Sequence, residues 1–138
     1  MKKYIGTKQI QAEPMTMGEA YRRGLLQAER VPSESEKSKA GYYVKYEGGY
    51  ESWSPADVFE KAYRVADTFL DRLRIERDDL SLRYNKAQDF YYSPKFKELL
   101  WPEEQQAFET QLDLMRKHLA VLDARIQYVE NKPKTIGA

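Results

Sequence analysis

The single histidine, His118, stands beside Lys117, with no cysteine in the chain and no second imidazole to share a metal. One imidazole makes a poor metal site, and the missing cysteines remove thiolate catalysis, disulfides and cysteine-ligated zinc together. Serines occur without a nucleophile-elbow pattern, and a Ser-His-Asp arrangement would have to recruit His118. The pairs Asp78-Asp79 and Glu103-Glu104 are adjacent in sequence, so on a helix they point apart, unlike a glycosidase pair or a two-metal site. Glu47-Gly48-Gly49 precedes a strand-like run, whereas a phosphate loop feeds a helix N-terminus. The residues therefore predict no catalytic set, no metal and no cofactor, and the protein is expected not to be an enzyme.

What remains is arginine beside aromatics. Arg116 follows Met115, Arg125 precedes Ile126, and Arg77 interrupts an otherwise apolar helix face, while Arg22, Arg23 and Arg64 lie near the ends of shorter segments. Phe90, Tyr91 and Tyr92 cluster ahead of Ser93-Pro94. Guanidinium forks grip phosphate oxygens and aromatic faces stack on nucleobases, so the set can bind a small nucleotide. The same residues also suit a purely structural role: charges beside a helix seam pair across helices, and Phe90 and Tyr91 serve equally well as core.

These side chains must be positioned by helices. Phe108, Leu112, Met115, Leu119, Leu122, Ile126 and Val129 recur at alternating spacings of four and three, which keeps one stripe of a helix facing a partner helix. A helix over 102–130 would be about 43 Å long at its ordinary rise, and its partner must be another long helix or another subunit. A second helical pattern runs from Pro55 through Phe59, Ala62, Ala66, Phe69, Leu70, Leu73, Leu80, Tyr84, Ala87 and Tyr91, predicting one continuous helix antiparallel to the last. Ser54-Pro55-Ala56-Asp57 reads as its start, with Ser54 as cap and Pro55 at the first helical position.

Upstream, residues 4–12 read as a strand ended by Pro14. Thr16-Met17-Gly18-Glu19 has capping-box spacing ahead of a short helix over 21–27. Residues 41–46 and 49–53 form aromatic, β-favouring runs joined by Glu47-Gly48-Gly49, a hairpin. The expected fold class is α+β: a small antiparallel β module with a short helix over 1–54, a mobile loop near 30–40, a long helical hairpin over 55–131 and a flexible tail over 132–138.

Composition bounds the partners. Lys and Arg number 23 against 22 for Asp and Glu, so bulk charge points neither to long nucleic acid nor to a membrane surface. No apolar run approaches a membrane span, MKKYIGTKQI lacks a signal core, and the absence of cysteine suits a reducing cytosol. Tyr 11, Phe 5 and Trp 2 favour interfaces and flat ligands.

The text Tyr4-Ile5-Gly6-Thr7-Lys8, Glu13-Pro14-Met15-Thr16, Gly49-Tyr50-Glu51-Ser52-Trp53-Ser54-Pro55 and Val58-Phe59-Glu60-Lys61-Ala62-Tyr63-Arg64 resembles a module common in phage proteins. Ser93-Pro94-Lys95-Phe96, Leu99 and the 111–126 helix resemble small helical phage proteins. The combination resembles the first Thoeris anti-defence family, phage sponges for cyclic ADP-ribose signals made by bacterial TIR-domain enzymes. That resemblance implies capture of the signal without cleavage, assembly as a homo-oligomer (dimer or hexamer) and action in the host bacterial cytoplasm. Its best residue matches are Arg64 and Arg116, with Phe90 a base-stacking candidate. Arg23 and Tyr91 complete the expected ligand-binding set. The alternatives are a sponge for cyclic di- or trinucleotide signals and a helical protein-binding adaptor.

Overall fold

A computed structural model describes residues 1–27 and 29–133, and the chain divides into two compact units, Met1–Arg64 and Val65–Ala138. The expected tail over 132–138 falls largely outside the described residues.

The first unit is a three-stranded antiparallel sheet with two short helices: β1 (Gln11–Pro14), α1 (Met17–Arg22), β2 (Gly41–Lys45), β3 (Glu51–Pro55) and α2 (Ala56–Ala62), in sheet order β1-β2-β3. The strand expected over 4–12 instead starts at Gln11, because Gln11 pairs with Lys45 where β2 ends and the residues before it have no strand opposite. Pro14, which cannot donate to a ladder, sits on this edge strand and closes it. Thr16 caps α1, its hydroxyl accepting from the Glu19 amide at 3.3 Å. The helix spans 17–22 rather than 21–27 because Gly24 adopts φ +70°, which turns the chain out of the helix.

The hairpin forms as expected, with Tyr43 opposite Trp53. Trp53 donates its indole N–H to the Met15 carbonyl at 2.7 Å and lies against Gly41, where a Cβ would come within 2.3 Å of the ring. Ser54 does not cap the next helix. Ser54 and Pro55 pair with Tyr42 and Gly41 in the ladder, so the helix begins one residue later than expected. Residues 30–40, whose polar composition suggests only a loop, are held by their backbone: the amides of Met17 and Gly18 donate to the carbonyls of Lys39 and Lys37, each at 2.9 Å.

The second unit contains α3 (Phe69–Tyr91), α4 (Lys95–Leu99) and α5 (Pro102–Glu130). The single helix expected from Pro55 to Tyr91 is interrupted. Tyr63 leaves helical geometry at φ −133°, and Thr68 and Asp71 form a reciprocal capping box, both bonds 3.0 Å, that starts α3 afresh. Phe59 accordingly packs in the first unit, stacked on Tyr42 with ring centroids 4.2 Å apart.

Helices α3 and α5 pack together, and all seven residues of the four-three seam on α5 are buried or half-buried. Leu73 and Leu80 of α3 meet Met115 and Leu122 of α5 in the core, with Tyr84, Leu119, Ile126 and Val129 packed around them. Arg77 occupies a seam position on α3 and reaches across to Asp123, Nε donating to Oδ1 at 2.8 Å. Arg74 bonds Glu130 at 2.7 Å in the same antiparallel sense. Leu122 is fully buried, so Leu122→Ala should cost roughly 2–5 kcal/mol, while the exposed Gln127→Ala should stay within about 0.5 kcal/mol. Urea unfolding followed by helical circular dichroism measures both; equal effects would show that Leu122 is not central to the core.

Candidate functional site

The antiparallel register brings the last turns of α3 beside the first half of α5. Between them lies an open cavity of about 230 Å³ lined by Tyr84, Gln88, Tyr91, Tyr92, Glu109, Leu112, Asp113 and Arg116. At the hairpin's closed end Phe90, Phe96 and Phe108 meet edge to face with centroids 5.3–5.8 Å apart. Phe96, on α4, is buried there, and Tyr91 leans on it at 4.8 Å. Ser93 ties the turn by donating to the Phe90 carbonyl at 2.7 Å. Trp101 N–H donates to the Glu104 carboxylate at 3.1 Å, fixing the start of α5.

Polar groups line the cavity walls. The Tyr91 hydroxyl donates to Glu109 at 3.2 Å, and the nearby Glu109 charge raises the Tyr91 pKa, keeping the phenol neutral as a donor. Tyr84 accepts from the Gln88 amide at 3.0 Å. Arg116 donates through Nη2 to Asp113 Oδ1 at 2.7 Å, while Lys117 holds the other oxygen at 2.8 Å. Those two cations hold the Asp113 carboxyl below the usual carboxylate range, the Lys117 hydrogen bond contributing most. The arrangement presents one guanidinium, two carboxylates and three phenols on an open surface. It can grip a phosphate and a flat ring.

Of the expected ligand-binding residues, the structure brings Tyr91 and Arg116 to one cavity. Phe90 is not among the residues lining the cavity, where Tyr84, Tyr91 and Tyr92 stand; its ring meets Phe96 and Phe108 edge to face. Arg23 belongs to the first unit, where it shares Glu19 with Arg22, its Nε 3.0 Å from the carboxylate. Arg64 is the last residue of that unit and is exposed. His118 faces Glu76 across the hairpin at 3.5 Å, and Arg125 lies over the Phe69 ring at 5.9 Å. Tyr84, Gln88, Glu109 and Asp113 were not singled out by the sequence. Their signal is the seam itself: once α3 and α5 are set antiparallel, Tyr84 and Gln88 come beside the stretch of α5 that carries Glu109, Asp113 and Arg116.

Residues 67–128 match the family model of Sequestin, and this stretch contains every residue lining the cavity. The helical unit is thus similar to an anti-defence sponge family, in agreement with the resemblance drawn from its sequence; the match specifies no ligand. No curated protein and no solved structure matches the chain. Among the described residues, no helix is long and apolar enough to cross a membrane.

With its folded-state pKa depressed, Asp113 contributes stability that is present above its unfolded pKa and lost as pH falls through the folded value. Lys117→Met should move the Asp113 titration midpoint upward in a carbon-detected NMR pH titration. A midpoint that stays in place would remove Lys117 as its partner.

Proposed function

We propose that this protein is a phage sponge that binds and sequesters a small cyclic nucleotide, of the cyclic ADP-ribose type made in Thoeris immunity, without cleaving it. The observation that carries the reading is the juxtaposition of Arg116 with Tyr84, Tyr91 and Tyr92 around one cavity, within the stretch similar to Sequestin. Arg116 supplies a fork of donors for the diphosphate, of which the Asp113 contact uses one nitrogen. The phenols supply flat faces for the base and hydroxyls for polar edges. Sequestration needs affinity alone, which suits a site whose described residues form no metal-holding cluster.

The cavity, at about 230 Å³, is smaller than the roughly 300–1,000 Å³ typical of small-molecule sites. A second copy of the chain would close it, and we read the protein as a homo-oligomer acting in the host cytoplasm. Leu114, Val121 and Tyr128 support that reading: they are exposed, recur every seven residues on α5 and face away from the α3 seam, as a second packing stripe does.

Calorimetric titration with cyclic ADP-ribose isomers and with cyclic di- and trinucleotides tests the assignment. Wild-type protein should bind a cyclic ADP-ribose isomer, and Arg116→Ala should lose roughly 1.5–3 kcal/mol of that affinity while keeping its melting temperature. Binding of cyclic oligonucleotides alone would transfer the sponge to that ligand class. No heat with any of these ligands would reject the sponge.

A further inference from the structure

The cavity that receives an anion in this reading carries more negative than positive charge. Glu109 and Asp113 stand against Arg116 in its lining, and Lys117 reaches only the far oxygen of Asp113. A site built simply to maximise affinity for phosphate would not place a carboxylate 2.7 Å from its guanidinium. Ionised carboxylates accept hydrogen bonds and cannot donate them, so they favour ribose hydroxyls and amino groups and oppose phosphate oxygens. That opposition grows with ligand charge. A phosphodiester or a pyrophosphate diester carries one charge per phosphate, whereas a terminal phosphate carries close to two at neutral pH.

We propose that Asp113 and Glu109 are specificity-determining residues that exclude nucleotides ending in a dianionic phosphate and admit those whose phosphates are all esterified at both ends. The inference rests on the cavity being the nucleotide site. It gives that site a means of ignoring abundant nucleoside di- and triphosphates, which also carry an adenine and a phosphate for the same tyrosines and Arg116. Asp113 holds the stronger position, since it sits on the very guanidinium that would meet the phosphate. Glu109 acts from the neighbouring turn, where it also holds the Tyr91 hydroxyl. The ring-stacking contacts are common to both ligand kinds, so the carboxylates decide between them through charge.

The test is titration of wild type, Asp113→Asn and Glu109→Gln with ADP and with cyclic ADP-ribose at pH 8, after circular dichroism has shown that each variant is folded. Both substitutions keep side-chain size and an acceptor oxygen while removing one negative charge. Each variant should gain affinity for ADP over cyclic ADP-ribose by on the order of 3- to 10-fold, the effect of one unit charge a few ångströms away at an exposed site. An equal gain for both ligands would show that the substitutions merely release Arg116, and would overturn the exclusion. So would cyclic ADP-ribose binding by all three proteins with ADP still undetected in the variants. Failure of all three to bind either nucleotide would overturn both the exclusion and the cyclic ADP-ribose assignment beneath it.

Discussion

The four-three seam between α3 and α5 is the constraint on which the second unit depends. A stripe repeating every three and four residues faces its partner only if both helices keep one register, and here the register is pinned at both ends and in the middle. Arg74 meets Glu130 near one end, Arg77 meets Asp123 on the seam, and Tyr91 meets Glu109 near the turn. Arg77 stands where an apolar side chain would bury more surface, and a half-exposed ion pair contributes little net stability. What it contributes is direction, since a guanidinium at that position accepts few registers other than the one that offers Asp123. The cavity follows from the register: Tyr84, Gln88 and Tyr91 oppose Glu109, Leu112 and Arg116 only while the seam holds.

Much of this hairpin was legible because it is made of periodic spacing. The α5 seam residues are the ones that turn inward, and Pro102 with Glu103 and Glu104 marks the start of that helix. Arg116 was visible as a cation beside the seam, and Tyr91 as an aromatic near its end. Phe90 illustrates where spacing runs out. Phe90 and Tyr91 are adjacent and chemically alike, yet one ring is taken up by Phe96 and Phe108 and the other lines the cavity. Both rings touch Phe96 of α4, a five-residue helix whose placement no periodicity specifies, and Phe90 alone also meets Phe108 of α5. The break between α2 and α3 was missed for another reason. It contains neither glycine nor proline, and its signal is the Thr68-to-Asp71 capping box, a local hydrogen-bond exchange that competes successfully with apolar residues compatible with an uninterrupted helix. In the first unit, β1 is shorter than its text suggests because a strand extends only as far as its neighbour β2.

In the proposed sponge the site's chemistry is that of recognition. Its charged groups are already engaged with one another: Arg116 with Asp113, Asp113 with Lys117, Tyr91 with Glu109. Such prior pairing limits the reorganisation needed on binding, because side chains held by neighbours lose less freedom when a ligand arrives. It also makes every substitution in the site a test of ligand charge as well as of affinity.

The central claim is capture without conversion, and the most direct measurement is the fate of the bound molecule. Purified protein is incubated with a cyclic ADP-ribose isomer, passed through a desalting column, denatured by heat, and the released molecule identified by mass spectrometry. The account predicts that the protein carries the nucleotide through the column and that heating returns it with its mass and ring intact. Release of an opened or hydrolysed nucleotide would contradict it and make the protein an enzyme.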